Sequence, residues 1–151
     1  MFKNFISPNN NRKLEIKSNK LSDGIIKFDV INEIPDLIYP KILDKIDLDA
    51  KNFYEGRANE YDKYLHLTFQ TYNENENVVR NKMIDLLNLK NDHKVLEVAC
   101  GTGRDSILID KRLSSSAELH LTDISYDMVK KAKEKLNKSN SKTYFCLCNA
   151  L

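Results

Sequence analysis

The sequence has no apolar stretch long enough to cross a bilayer. Near the N-terminus, the first short apolar run is interrupted by Ser7, Pro8 and several asparagines, so we expect no secretory leader. Cysteine is also scarce, and Cys100, Cys146 and Cys148 all lie in the most strand-like part of the chain. We therefore expect reduced, buried thiols instead of disulfides, and the cytoplasm as the default compartment.

Neither sign of charge dominates. The chain has 24 Lys and Arg against 22 Asp and Glu, a formal net charge of +2, which predicts no nucleic-acid partner. The three histidines are scattered without the spacing of metal ligands, so no metal site is predicted. Its 151 residues, 41% hydrophobic and 30% charged, are typical of one ordinary globular domain or two small ones.

A short apolar run followed by two closely spaced glycines organises the second part of the chain. The run Lys94–Val98 is too short for a core helix and contains β-branched residues, which predicts a strand buried on both faces of a parallel sheet. Gly101 and Gly103 end it and allow a ligand to approach backbone N–H groups. The segment Arg104–Leu113 then has helical spacing, so a helix begins with its N-terminus at this loop.

The next predicted strand ends in an acid. The run 117–122 is strand-like and is followed by Asp123, the position from which a carboxylate reaches a ribose. A nicotinamide dinucleotide site has a third small residue in its glycine loop, and Ser106 occupies that position here. Glu97 would repel a pyrophosphate but suits a cationic amino group, such as the α-ammonium of S-adenosylmethionine. These residues therefore favour S-adenosylmethionine over a nicotinamide dinucleotide.

Three motifs in order resemble those of a known family. The stretch Leu96–Gly103 resembles the first motif of class I S-adenosylmethionine-dependent methyltransferases, in the branch similar to ubiquinone and menaquinone C-methyltransferases. Leu121–Ser125 resembles the family's second-strand acid with the apolar residue that lies against adenine. Cys148–Ala150 resembles the exit of the third strand, usually Gly-Asp-Ala, with Asn149 in place of the Asp.

The resemblance implies an α/β fold, a partial doubly wound (Rossmann-like) parallel sheet with strand order 3-2-1. It implies that the glycines admit the methionine end of the cofactor, Glu97 orients its ammonium group, Asp123 binds the ribose hydroxyls, and Met128 packs on adenine. The implied cofactor site comprises Glu97, Ala99, Cys100, Gly101, Thr102, Gly103, Asp123, Ile124, Met128, Asn149, Ala150 and Tyr54. No catalytic base is predicted. A small-molecule acceptor is favoured, while lipid quinone, protein and RNA remain open as acceptors.

Residues 1–49 differ from the rest. Alternation in Leu14–Lys17, turn residues at Ser22-Asp23-Gly24 and the strand-like run Ile25–Ile31 predict a β-hairpin. The segment resembles a degenerate zinc-ribbon domain, with its first knuckle at Ser7–Asn10. Because no cysteine precedes Cys100, zinc held by thiolates is excluded.

Residues 50–151 are predicted to form the cofactor-binding part of the methyltransferase domain. Lys51–Asp62 resembles the family's entry segment, whose aromatic residues close over the cofactor; a simple packing role for Phe53, Tyr54 and Tyr61 remains the alternative. An amphipathic helix is predicted from the spacing of four apolar residues: Val79, Met83, Leu86 and Leu87. Another follows Ser125, a good N-cap.

Only three strands of the predicted sheet are present before the sequence stops. We therefore expect a truncated or fragmentary methyltransferase, or a half-domain completed by another chain. In either case the first strand becomes an exposed edge, open to a partner chain or to self-association. Two other functions remain open: a nicotinamide-dependent oxidoreductase, and a non-catalytic module that binds a partner through the open sheet edge.

Overall fold

The computed structural model describes residues 5–17 and 20–150, so residues 1–4, 18, 19 and 151 of the predicted domains lie outside the described residues. The described strands are β1 (Glu15–Lys17), β2 (Lys20–Ser22), β3 (Lys27–Ile31), β4 (Ile34–Pro35), β5 (Lys94–Val98), β6 (Glu118–Asp123) and β7 (Lys142–Leu147). The described helices are α1 (Lys45–Tyr54), α2 (Ala58–Thr71), α3 (Glu76–Asp85), α4 (Arg104–Asp110) and α5 (Tyr126–Lys135). The α/β class is confirmed. Within these ranges, no helix is both long and apolar enough to cross a membrane.

Strands β5, β6 and β7 form a parallel sheet in the order β5-β6-β7, which confirms the predicted order 3-2-1. Lys94 lies opposite Glu118, and Glu118 lies opposite Lys142, so the three strands start level with one another. Each crossover contains a helix, as parallel pairing requires. The carboxyl ends of the three strands therefore meet at one edge of the sheet, where ligands bind in folds of this kind.

Helices α3, α4 and α5 cover one face of this sheet. The core between them contains Ile84, Ile109, Leu119, Leu121 and Ala132, each 5% exposed or less. Alternation along β6 explains the two leucines, since side chains two residues apart share a face. The tight packing fixes α4 and α5 against each other directly behind the glycine loop.

The apolar spacing in the sequence predicted the wrong buried face for α3. Met83, Leu86 and Leu87 are at least half exposed, and Ile84 is the buried residue of the helix. Ile84 lies one turn after Arg80, which pairs with Glu76 and Asp105. Ion pairs with α4, together with one apolar contact, therefore orient α3, and the apolar spacing in the sequence indicated a different face.

The prediction that β5 is buried on both faces is also wrong. Val95 packs against the core, whereas Leu96 and Val98 on the opposite face are 63% and 52% exposed. Among the described strands, β5 pairs with β6 alone, so its other edge has unpaired backbone groups. The expectation of an exposed edge at this strand is confirmed.

The N-terminal part forms a four-stranded antiparallel sheet in the order β1-β2-β3-β4. The predicted hairpin needs correction, because β2 separates β1 from the turn at residues 23–26 and pairs with both neighbours. This sheet packs on the parallel sheet through Leu21, Phe28 and Cys146. The Leu37 N–H also donates to the Leu147 carbonyl oxygen at 2.9 Å, which joins the two sheets at the edge of β7.

Two turns of this N-terminal part are joined by a buried side-chain hydrogen bond. The Ser7 hydroxyl donates to Asp23 Oδ2 at 2.6 Å, and Asp23 Oδ1 accepts from the N–H groups of Ile25 and Ile26. The Ser7 hydrogen bond and these backbone donors hold the pKa of Asp23 well below its usual range. An ionised carboxylate therefore holds these two turns together.

Candidate functional site

A cavity of about 270 Å³ opens at the carboxyl ends of the parallel strands. The strand ends contribute one wall, and helices α1 and α2 contribute the other. Its lining residues are Asp47, Ala50, Tyr54, Tyr61, Val98, Ala99, Gly101, Asp123, Ile124, Met128, Cys148 and Ala150. Seven of the twelve predicted cofactor residues thus meet in this cavity: Tyr54, Ala99, Gly101, Asp123, Ile124, Met128 and Ala150.

The glycine loop after β5 forms the floor of the cavity. Ala99 has a φ of +55°, a left-handed conformation that costs a residue with a Cβ about 1–2 kcal/mol. The Cys100 N–H donates to the Thr122 carbonyl oxygen at 2.9 Å, which ties the loop to β6. The loop is therefore held in a strained shape that brings its backbone to the cavity.

The two glycines of the loop serve different purposes. A Cβ on Gly101 (φ +53°) would meet no atom within 4 Å, and Gly101 lines the cavity. A Cβ on Gly103 (φ +77°) would lie 2.9 Å from the Ala132 Cβ. Gly101 thus keeps space open for a ligand, whereas Gly103 lets α5 pack closely on the start of α4.

Asp123, at the end of β6, links the loop and helix α5. Its Oδ2 accepts from the Gly101 N–H at 2.9 Å, and its Oδ1 accepts from the Ser125 N–H at 3.0 Å. A carboxylate can accept about four hydrogen bonds, so both oxygens retain capacity for ligand hydroxyls. The residue is 8% exposed and lines the cavity, so its carboxylate is accessible to a ligand there.

The opposite wall comes from α1 and α2. Asp47, Ala50 and Tyr54 lie at i, i+3 and i+7 on α1, one face of that helix. The rings of Tyr54 and Tyr61 meet edge to face with centroids 6.0 Å apart, and burial raises the pKa of Tyr61. Phe53 is 57% exposed, so it has no core packing role. We call the region of α1 and α2 that covers the cavity, residues 45–71, the lid.

Polar contacts attach the first part of the lid to the strand ends. The Gly56 N–H donates to Asp127 at 2.7 Å, and the Ser125 hydroxyl donates to Glu55 at 3.4 Å. The side-chain amide of Asn149 donates to Asp47 at 3.2 Å. Helix α1 has no buried residue, so these contacts fix its place over the cavity.

Glu97 lies outside the cavity lining, on the other side of Val98. Its Oε2 accepts from the Ser106 hydroxyl at 2.6 Å, and Ser106 is fully buried. Burial raises the pKa of Glu97 to about 7, although the Ser106 hydrogen bond opposes this shift. Val98 and Ala99 border both the cavity and the groove that contains Glu97, so this carboxyl group is one residue from the cavity.

Glu97→Gln is expected to stabilise the protein at pH 8 but not at pH 5. Because the folded-state pKa of about 7 exceeds the usual value, the contribution of Glu97 to stability is complete below about pH 4.5 and is lost as the pH rises through 7. The glutamine retains an acceptor for Ser106 and removes the buried charge. We expect roughly 1–3 kcal/mol of added stability at pH 8, measured by urea denaturation.

Glu118→Gln is the matched control for that experiment. The hydrogen bond from His120 lowers the pKa of Glu118, so its ionised form is already favoured. We expect no gain at pH 8 from this variant. An equal effect of Glu97→Gln at both pH values would contradict the assigned pKa shift.

Four other predicted residues lie outside the lining. Cys100 is buried, and burial raises the pKa of its thiol, which therefore stays protonated. The Thr102 hydroxyl donates to Asp62 at 2.5 Å, and Gly103 packs on α5. The Asn149 amide oxygen accepts from the Tyr39 N–H at 3.1 Å. In the structure, these four residues therefore contact other protein groups and do not line the cavity.

Four residues that line the cavity had no ligand role predicted from the sequence: Asp47, Ala50, Val98 and Cys148. Tyr61 was in the segment compared with the family's entry region, and its spacing from Tyr54 was the available signal. No sequence pattern indicated Asp47 or Ala50, because only the tertiary structure brings helix α1 to the strand ends. Cys148 is partly buried beside the motif at residues 148–150.

A larger cleft of about 550 Å³ lies between α2, α3 and α4. Its two arginines are already occupied: Arg80 pairs with Glu76 and Asp105, and Arg104 pairs with Glu76 and Asp62. The smaller cavity at the strand ends contains seven of the predicted cofactor residues and is therefore the candidate site.

The parallel sheet, the glycine loop and the acid at the end of β6 define a Rossmann-like α/β domain. Residues 89–151, which span β5 to β7, match a protein family described as "Methyltransferase domain". That match supports an enzyme of the S-adenosylmethionine-dependent methyltransferase class. A search of curated proteins found no match.

Proposed function

We propose that this chain binds S-adenosylmethionine as the cofactor-binding half of a methyltransferase that acts on a small molecule. The observation that carries the proposal is the cavity in which Gly101, Asp123 and Met128 meet beneath two tyrosines of the lid. The family match to residues 89–151 supports the same reaction class.

The lining residues fit such a cofactor in chemistry. The space beside Gly101 admits a ligand against the backbone, and the Asp123 carboxylate can accept from two ribose hydroxyls. Ile124 and Met128 offer an apolar surface for the adenine ring, with Met128 only 1% exposed. Tyr54 and Tyr61 would cover the ligand from the lid side.

S-adenosylmethionine supplies an electrophilic methyl group on a sulfonium centre. The protein's part is to position that group and to exclude water, since in-line attack needs fixed geometry. Asp123 would hold the ribose, the glycine loop would receive the methionine end, and Glu97 would stabilise the ammonium group directly or through water. A cation near Glu97 would lower its pKa and favour the ionised carboxylate at neutral pH.

A nicotinamide-dependent oxidoreductase is the less favoured alternative. Ser106 occupies the third small position of the loop, and its hydroxyl donates a hydrogen bond to Glu97. An acid at this place, ionised above about pH 7, would repel a pyrophosphate. We therefore expect no affinity for NADH.

Three finer assignments also remain proposals: membership of the branch similar to ubiquinone and menaquinone C-methyltransferases, a cytoplasmic location, and descent of residues 1–49 from a zinc ribbon. The last is supported by the turn at Ser7–Asn10, where the resemblance puts the first knuckle, because Ser7 joins this turn to Asp23. A hydrogen bond between a hydroxyl and a carboxylate would take the place of a metal there.

Titration of S-adenosylmethionine into the purified chain by calorimetry tests the proposal. We expect saturable binding, and we expect Asp123→Ala to weaken it about tenfold or more, because hydrogen bonds to a charged group contribute roughly 1.5–3 kcal/mol. Asp110→Ala is the matched control, since the Asp110 carboxylate also accepts two backbone N–H groups but lies at the far end of α4. That control should lose stability and keep its affinity.

Unchanged affinity in Asp123→Ala would remove Asp123 from the site. A folded wild-type chain that binds neither S-adenosylmethionine nor NADH would contradict the proposal. That outcome would favour the second candidate, a module that self-associates through β5, which is supported by the exposed Leu96 and Val98 beside its open edge. Light scattering would then report a dimer without cofactor.

A further inference from the structure

We propose that Asp62 is a positioning residue that latches the lid to the glycine loop and so sets the affinity of the cavity for its ligand. The inference rests on the proposed function for its ligand readout. Asp62 does not line the cavity, but it follows Tyr61, which does.

Asp62 receives hydrogen bonds from three elements that surround the cavity floor. Its Oδ1 accepts from the Thr102 hydroxyl at 2.5 Å, in the glycine loop between the two glycines. The same oxygen accepts from Arg104 Nε at 3.2 Å, and Arg104 also donates to the Asp62 backbone carbonyl oxygen. Its Oδ2 pairs with Lys135 Nζ at 2.6 Å. One carboxylate therefore joins α2 to the loop, α4 and α5.

The charges around this carboxylate balance. A continuous chain of ion pairs runs through six residues: Lys135, Asp62, Arg104, Glu76, Arg80 and Asp105. Three acids and three bases alternate along it, so no member is left as an uncompensated charge. Burial alone would raise the pKa of Asp62, but hydrogen bonds from Lys135 and Thr102 outweigh it and hold that pKa below its usual range. The latch is therefore ionised at neutral pH.

Apolar packing gives the lid little support of its own. Helix α1 has no buried residue, and Ala58 is the single buried residue of α2. An element with few buried contacts opens at low free energy unless other interactions hold it. The polar contacts of Asp62 are thus well placed to decide how often Tyr61 lies on the cavity wall.

Loss of the latch should affect the lid more than the sheet. Asp62→Asn keeps the size of the side chain and removes the charge that faces Arg104 and Lys135. Thr102→Val keeps the shape and removes only the hydroxyl donor, whereas Thr102→Ser retains that donor. If opening reduces the fraction of binding-competent protein, affinity falls by the same factor.

The experiment combines two readouts on these variants. Hydrogen exchange without ligand should become about tenfold faster in residues 58–66 of Asp62→Asn and Thr102→Val, and stay unchanged in β6. Calorimetry should show S-adenosylmethionine affinity reduced about tenfold in both variants and retained in Thr102→Ser. Asp85→Asn is the control, because it breaks the ion pair of Asp85 with Arg112, which touches neither lid nor loop.

Equal hydrogen-exchange rates in the lid of Asp62→Asn and of the wild type would overturn the proposal that Asp62 latches the lid. Faster exchange in β6 as well as in the lid would also overturn it, because the role would then be general stability. If the wild type binds no S-adenosylmethionine, the proposed function fails, while the exchange measurement still decides whether Asp62 holds the lid.

Discussion

Gly103→Ala is expected to lower the free energy of unfolding by about 2–5 kcal/mol. The new Cβ would lie 2.9 Å from the Ala132 Cβ and 3.0 Å from the Ala132 Cα, so helices α4 and α5 must separate. Overpacking of this kind costs about 1–3 kcal/mol, and the φ of +77° adds about 1–2 kcal/mol for a residue with a Cβ. Urea denaturation followed by circular dichroism measures the loss.

Gly24→Ala is the matched control for the backbone part of this loss. Gly24 also has a positive φ, +91°, but a Cβ there would have no atom within 4 Å. Gly24→Ala should therefore lower the free energy of unfolding only by the cost of the positive φ. If Gly103→Ala were no more destabilising than Gly24→Ala, the close approach of α5 to the glycine loop would be wrong.

Gly101→Ala is expected to leave the protein folded and to weaken the binding of S-adenosylmethionine. Its Cβ would meet no protein atom within 4 Å, so the fold loses only about 1–2 kcal/mol from the φ of +53°. Because Gly101 lines the cavity, the Cβ should occupy space that the ligand needs next to the backbone. We expect S-adenosylmethionine affinity to fall more than tenfold, measured by calorimetry on protein shown to be folded.

The same Gly24→Ala variant serves as the binding control, since it carries a similar backbone cost far from the strand ends. It should bind as the wild type does. Full binding by Gly101→Ala would show that no ligand approaches this part of the loop, and would place the cofactor elsewhere.

The local elements around the glycine loop were predictable because each depends on residues close in sequence. The run Lys94–Val98 and the glycines after it predicted a strand and a loop, and β5 and the loop are there. Ser125 predicted a helix start, and its side chain accepts from the Met128 N–H. Strand order followed from the resemblance, and the observed order β5-β6-β7 agrees with it.

Sequence patterns failed where partners distant in the chain decide the outcome. The apolar spacing of α3 indicated Met83 and Leu87 as buried, but the ion pairs of Arg80 turn another face toward α4. Nothing in the sequence indicated that the Thr102 hydroxyl donates to Asp62, 40 residues away. No local sequence pattern predicts such a pairing, because it depends on how two helices dock.

By itself, the sequence determined the class of fold, the glycine loop and Asp123 at the strand end, since these depend on local backbone preferences and on the order of motifs. Only the tertiary structure decided which residues meet in the cavity. It placed α1 over the strand ends, separated the tasks of Gly101 and Gly103, and turned Thr102 toward Asp62. The physical reason is that packing and charge pairing between distant segments fix side-chain directions, which local sequence leaves open.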